Sequence, residues 1–417
     1  MESKPPSKIT VRLPAPVLQL LQRAGRIAEQ SGSSLYLVGG VVRDLLLGRD
    51  SIDIDLMTPG DATALAEELA AESGTRPTLH KKFGTATFVF NAYRIDLATC
   101  RSESYTRPGA LPEVRSGNIS NDLFRRDFTI NAMAINLSPS HYGELIDLYG
   151  GWADLKSGLI RVLHSRSFQD DATRIMRAVR YEQRLGFRLE PGTARLLREH
   201  LDMLDTISGE RLRNELFLWL QEQNPGQVLE RAGKLGVLKR LHPDLRWNHN
   251  LTIAFRRSSL LQTSDKAALY FCLLAYRLDE DGLYELLQRL NLTGTRYDLL
   301  THHALSIRKN RDLLMKDNLK NSELYFMLNN IPLTAIQANL VYPNPRRMRS
   351  RLNLYLNRLS KVRLLTGGAG LTALGIKQGP AIGRILNALL TAKLDDRLKT
   401  RREEEELALS LAAKETR

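Results

Sequence analysis

The hydrophobic period of this chain changes once, near residue 150, and that change bounds the folds open to it. Before it, apolar and polar residues alternate in short runs: LYLV (35–38), SIDIDLM (51–57), ATFVF (86–90) and YRIDLAT (93–99). A period of two marks strands that bury one face. Helical spacing falls between them, in APVLQLLQRAGRIAEQ (15–30), VVRDLLLG (41–48) and residues 61–73. Asn91-Ala92 joins two of the extended runs and reads as a hairpin turn. After residue 150 strand signals fade. Helical runs follow at 170–185, 192–204, 209–222, 225–235, 265–290, 296–314 and 320–340. The expected fold class is therefore α+β: a head with a small mixed sheet flanked by helices, then an elongated all-helical body. Boundaries are expected at 1–34 (helix and lead-in), 35–150 (head), 151–235 (neck) and 236–417 (body and tail). The bend at Pro343 and Pro345 is expected to set off the last helical unit. The tail TRREEEELALSLAAKETR reads as a charged helix that frays.

Charge narrows the partners. The 417 residues hold 60 Lys and Arg against 46 Asp and Glu, a formal net charge of +14. Such an excess favours a polyanion such as nucleic acid. Cys100 and Cys272 stand far apart, which excludes a disulfide framework and a Cys-rich metal site. The eight histidines form no metal-ligand spacing. The segment MESKPPSKITVRLP has no apolar stretch typical of a leader, and no run of about 20 apolar residues occurs. A cytoplasmic protein with no membrane contact is expected.

The stretch VGGVVRDLLLGRDSIDIDLM (38–57) concentrates the chemistry. Gly39-Gly40 between a strand and a helix lets backbone amides approach a phosphate closely. Arg43, one turn into the helix, is placed to reach the same phosphates. Asp53 and Asp55 sit at i and i+2 on a predicted strand, so they share a face. Two carboxylates side by side call for a cation between them, and Mg²⁺ takes carboxylate and phosphate oxygens together. Asp96, flanked by Ile95 and Leu97, is placed to join them from a neighbouring strand. Three carboxylates in that arrangement suit two-metal phosphoryl or nucleotidyl transfer.

With these residues in hand, the chain resembles the class II tRNA nucleotidyltransferases. That family comprises CCA-adding enzymes, their CC-adding and A-adding relatives, and bacterial poly(A) polymerases, within the DNA polymerase beta superfamily. The resemblance begins with the Gly-Gly, VRDLLLG and D-x-D pattern. It continues in order through RRDFTIN (125–131), LIDLYGGWADL (145–155), FQDDATRIMRAVRY (168–181) and GERLRNEL (209–216). LGIKQGPAIGRILNALLTAKLDDRL (374–398) is similar to a C-terminal segment of part of the family. The resemblance implies that Asp53, Asp55 and Asp96 are catalytic and hold Mg²⁺. It implies that Gly39, Gly40, Arg43, Arg126, Asp171, Arg174, Arg177 and Arg180 bind the nucleotide, CTP or ATP. Asp171 and Arg174 would read the base. An aspartate accepts from the exocyclic amino group that cytosine and adenine share, while an arginine donates to the adjacent ring nitrogen. Uracil and guanine reverse that pattern, and such mispairing discriminates by roughly 10⁴-fold. Arg177 and Arg180 would contact sugar and phosphate or brace the pocket, with Asp127 and Asn131 orienting Arg126. Asp171, Arg174, Arg177 and Arg180, three apart, read as one helical ridge.

RSESYTRPGALPEVRSG (101–117) corresponds by resemblance to the family's flexible loop, whose presence leans against a strictly CC-adding enzyme. The chain departs from the family pattern at Asp170, where Glu is usual, and at Thr372-Ala373, where Asp-Leu is common. In the body, Arg346, Arg347, Arg349, Arg351, Arg358, Lys361 and Arg363 form a basic stretch suited to RNA phosphates. The expected activity is addition of CMP, AMP or both to the 3′ end of tRNA, as CCA, CC or A alone. A bacterial poly(A) polymerase is the alternative within the class. A catalytically silent RNA-binding protein is the alternative outside it, and the intact D-x-D, Gly-Gly and arginine ridge argue against it. Oligomeric state is not legible.

Overall fold

A computed structural model describes residues 13–50, 53–72, 74–104 and 113–415. The lead-in 1–12, Ser51-Ile52 and the central part of the expected loop, 105–112, lie outside the described residues, as do the last two of the tail. The chain divides into two compact units, Met1–Arg240 and Leu241–Arg417.

The first unit is built on strands β1 (Tyr36–Val38), β2 (Asp53–Thr58), β3 (Thr78–His80), β4 (Thr85–Phe90), β5 (Tyr93–Thr99), β6 (Arg101–Ser104), β7 (Glu113–Ser116), β8 (Ala134–Asn136) and β9 (Leu145–Ile146). Seven of them make one sheet in the order β3-β4-β5-β2-β1-β8-β9. Only β2 and β5 run parallel; the other neighbours are antiparallel. The β4–β5 turn is the hairpin legible in the sequence, with Asn91 in the left-handed region at φ 55°. The strands β6 and β7 pair separately as a ribbon, so both ends of the 101–117 segment are extended, where the sequence reads as loop. Ser102, Glu103, Val114 and Arg115 pair across it, and this ladder sets the ends in register.

Helices α1 (Ala15–Gln30), α2 (Gly40–Leu46), α3 (Ala62–Glu72), α4 (Ile119–Phe124) and α5 (Gly151–Ser157) accompany the sheet. The LIDLYGGWADL motif is structural. Asp147 accepts from Gly151 and Trp152 amides and so caps α5. Asp154 accepts from Thr129 Oγ1 at 2.7 Å. Gly151 is needed because a Cβ would lie 2.3 Å from the Thr129 carbonyl oxygen. These contacts pin RRDFTIN, whose Phe128 and Ile130 are fully buried.

The neck segment belongs to this same unit. Helices α6 (Ser167–Asp170), α7 (Thr173–Leu185), α8 (Pro191–Glu199), α9 (Gly209–Gln221) and α10 (Pro225–Leu235) pack as the 3.6 period requires. Ile175, Met176, Ala178 and Val179 of α7 are buried, and Trp219 Nε1 of α9 donates to the Met176 carbonyl at 3.0 Å. Arg231 of α10 pairs with buried Glu182 of α7 at 2.6 Å. The proposed ridge is corrected at its start. Asp171 is extended and precedes α7, because its carboxylate accepts from the Thr173 amide and hydroxyl.

The described residues of the second unit form helices joined by turns, with no strand among them. Two long expected runs are broken. Residues 265–290 split into Lys266–Leu274 and Glu280–Arg289, with Asp279 capping the second. Residues 320–340 split at Pro332. One apolar core gathers Leu314, Leu324, Leu328, Ile336, Met348 and Leu352, and another Leu371, Ile385, Leu389 and Ala408. The tail helix Arg401–Glu415 is anchored, contrary to the fraying expected of so charged a segment. Buried Glu404 accepts from the Leu365 and Thr366 amides and from Lys393.

Candidate active site

The centre of the site is β2. Ile54 and Leu56 are buried, which turns Asp53 and Asp55 to the opposite face. Along β5, Arg94 lies opposite Asp53 and Asp96 opposite Asp55. Thr87 of β4 faces Asp96 from the far side. Paired residues share a face, so the three carboxylates, Arg94 and Thr87 form one polar patch. Asp96 lies close enough to act on the Asp55 charge, and it has partners of its own. It accepts from Thr87 Oγ1 at 2.5 Å and pairs with Arg94 Nε at 2.9 Å. Among the described residues, no three His, Cys, Asp or Glu side chains are gathered around a point where a metal would sit. The three expected carboxylates thus lie adjacent on two neighbouring strands, with Asp96 paired to a guanidinium.

The patch still fits a hard divalent ion. Its donors are carboxylate oxygens on adjacent strands, the set such ions take. Burial raises the Asp55 carboxyl above its ordinary range; Arg126 opposes this, while Asp96 and Asp53 add to it. A charge left in that state is stabilised by an added cation. Gly39 borders the same point, with φ 77° and ψ −138°. A Cβ there would lie 2.7 Å from Arg126 Nη1 and 3.4 Å from Asp55 Oδ2, so only glycine leaves the space open.

The RRDFTIN arginines form the next wall. Arg126 donates to buried Asp122 at 3.1 Å, and its Nε is buried with no hydrogen-bond partner. Asp122, not Asp127 or Asn131, orients it. Asp127 instead accepts from Arg177 at 2.7 Å and from Asn131 at 3.0 Å. Burial opposes the Asp127 charge, but Arg177 and Asn131 hold its carboxyl below the usual range. Arg43 is also corrected. It is 3% exposed, donates to Asn131 at 2.7 Å and to Asp44 at 2.9 Å, and lies over the Tyr181 ring. It braces the wall and does not open on the cavity.

Opposite stand the neck residues. Asp171 accepts from Arg211 Nη2 at 2.7 Å. Arg174 is buried, donating to Ser167 Oγ at 2.7 Å and to the Arg125 carbonyl at 2.6 Å. Arg180 is buried against Glu215 and Glu222, at 3.5 and 3.8 Å, and braces α7 against α9. A cavity of about 500 Å³ joins these walls. Gly39, Gly40, Asp55, Arg126, Asp171, Arg174 and Arg177 line it together, with Arg125, Glu103 and Arg211. Arg43, Asp53, Asp96 and Arg180 are not in that lining. A second cleft of about 330 Å³ shares Asp55 and Arg126 and adds Thr87 and Asp96.

Sequence reasoning missed Arg211, Arg125 and Glu103. Arg211 and Arg125 stood inside quoted motifs, and charge alone did not separate them from their neighbours. Glu103 gave no signal, because its ion pairs to Arg101 and Arg125, each at 3.0 Å, exist only once the ribbon folds.

In the second unit, much of the basic stretch 346–363 is committed locally. Arg347 donates to the Met315 carbonyl and pairs with Asp317. Arg351 donates to the Leu314 and Lys316 carbonyls, and Arg358 pairs with Asp396. Arg363 caps Ser360 and Val362 carbonyls. Arg349 has a buried, unpartnered Nε, whereas Arg346 and Lys361 are exposed. No helix among the described residues is long and apolar enough to cross a membrane.

The poly A polymerase head domain matches residues 35–161, and the probable RNA and SrmB-binding site of polymerase A matches 186–248. The A-adding tRNA nucleotidyltransferase of Geobacter sulfurreducens is 35% identical over 96% of this chain and 48% of its own length. This chain thus spans about half the length of that relative. The CCA-adding enzyme of Levilactobacillus brevis is 30% identical over 90% of this chain and 91% of its own. The Thermotoga maritima CCA-adding enzyme complexed with tRNA-CCA superposes with a TM-score of 0.78, at 32% identity and 96% coverage of both chains.

Proposed function

Because this chain belongs to the tRNA nucleotidyltransferase family that includes the CCA-adding enzymes, we propose that it adds CMP and AMP to the 3′ end of tRNA without a nucleic-acid template. The observation that carries this reading is the shared cavity. One space of about 500 Å³ is bordered by Asp55 and the Gly39-Gly40 turn on one side and by Asp171 and Arg174 on the other. A nucleoside triphosphate laid across it meets a phosphate end and a base end.

The incoming CTP or ATP rests its phosphates on Gly39, Gly40 and Arg126. Asp171 accepts from the exocyclic amino group of the base, and Arg174 donates to the ring nitrogen beside it. The terminal ribose hydroxyl of the tRNA attacks the α-phosphorus. A P–O bond forms there, the bond to the β-phosphate oxygen breaks, and pyrophosphate leaves. Asp96 takes the hydroxyl proton. Asp53, Asp55 and Asp96 would hold Mg²⁺, which when bound polarises the hydroxyl and offsets phosphate charge. Arg177 and Asp127 keep the floor of the cavity fixed, and exposed Arg346 and Lys361 track RNA phosphates. The A-adding relative, which aligns with 96% of this chain, favours a narrower second reading in which AMP alone is added.

The test uses purified protein, Mg²⁺ and three tRNAs, ending before CCA, after C and after CC. Each receives CTP, ATP or both, and products are sized on a sequencing gel. Growth by C, C and A with a halt is expected. Addition of A alone to the CC-ended tRNA would establish the narrower reading. Long A ladders would point to poly(A) synthesis. No growth with tRNA still bound would overturn the enzyme reading.

A further inference from the structure

We infer that Arg94 is a built-in stand-in for the metal, a guanidinium that occupies Asp96 until a divalent ion displaces it. This rests on the proposed metal role of the carboxylates. Three observations carry it. Arg94 lies in register with Asp53 and two residues from Asp96, on the face that carries all three carboxylates. Its Nε holds Asp96 at 2.9 Å, and its charge also acts on Asp55. Its side chain is 60% exposed, so it can leave for solvent without opening the core.

The physics follows from the sheet. Three carboxylates on adjacent positions repel, and a fold that must persist before metal arrives gains from an internal cation. An arginine held by burial would block the site permanently. An exposed one competes weakly, because an exposed ion pair contributes little in water. Thr87 holds Asp96 Oδ1 at 2.5 Å, so release of Arg94 frees Oδ2 without loosening the side chain. Arg94 is thus a positioning residue. It holds Asp96 while the metal is absent and sets how much divalent ion is needed to recruit it.

The test reads metal binding directly. Mn²⁺ is titrated into the purified full chain, without nucleotide or tRNA, and free ion is followed by electron paramagnetic resonance. The wild type is compared with Arg94→Gln, Asp96→Asn and the double variant. Arg94→Gln should bind Mn²⁺ about three-fold more tightly. The gain should shrink in the Asp96→Asn background, where Arg94 has nothing to release. An unchanged affinity in Arg94→Gln, or an equal gain in both backgrounds, would overturn the inference; the latter means a long-range charge effect only. A wild type that binds no Mn²⁺ would overturn it as well. Loss of nucleotide addition with Mn²⁺ still bound would strike the proposed activity and leave the Arg94 result standing.

Discussion

The two walls of the cavity differ in how their charges are settled. On the neck side and along RRDFTIN, each acid has a base in reach: Asp127 with Arg177, Asp122 with Arg125 and Arg126, Asp171 with Arg211. On the β2–β5 side, three acids share one face and burial raises the carboxyl of Asp55. The first wall is finished by the protein itself. The second is the wall to which the proposed metal role falls. A wall that selects a base must hold its donors and acceptors still before the ligand arrives. A wall that recruits cations keeps a surplus of negative charge, at a cost in stability.

Substitutions can break this contrast. The largest expected effect is at Asp55. Asp55→Asn should lower nucleotide addition about 10³-fold or more, since in the proposed function it removes a metal ligand worth several kcal/mol of transition-state stabilisation. It should bind tRNA as before and unfold no earlier than the wild type, because it also removes an unfavourably placed charge. Steady-state rates and a melting curve check both halves. On the settled wall the balance is reversed. Asp127→Ala leaves buried Asn131 and half-buried Arg177 without their shared carboxylate and should cost about 2 kcal/mol in a urea titration.

Acid should separate the walls next. The Asp127 carboxyl is held below its ordinary value. A group depressed on folding contributes stability above its unfolded pKa, about 3.9, and loses it as pH falls through the folded value. Asp127→Asn should therefore flatten the loss of stability below about pH 4. An unchanged acid limb in unfolding curves would remove Asp127 from the account. The smallest effect belongs to Arg211→Gln. That ion pair is partly exposed, so stability should fall by only about 0.5 kcal/mol. KM for the nucleotide should rise while tRNA affinity holds, because Asp171 loses a partner that steadies it.

Much of this was legible in the sequence, for reasons that can be named. Asp53, Asp55 and Asp96 could be read because alternation along a strand is strict, and strand neighbours supply the third acid. The Asn91 hairpin and the start of α10 at Pro225 follow from local backbone preferences. Arg43 could not be placed. Spacing puts it near the phosphates, but its direction depends on Asn131, 88 residues away. Asp171 counted as part of a helix because three-residue spacing does not reveal a cap. Arg351 and Arg358 looked like RNA ligands because the carbonyls and carboxylate that hold them come from distant segments. Charge in a sequence shows what a chain can attract, and only the fold shows which charges are already spent.

The central claim is that one wall carries the chemistry and the other the choice of base. The most direct measurement is the rate of single-nucleotide addition by Asp171→Asn with each of CTP, ATP, UTP and GTP. An amide can donate as well as accept, so the account predicts reduced preference for CTP and ATP and measurable addition from UTP. A uniform fall with all four nucleotides, at unchanged preference, would contradict it.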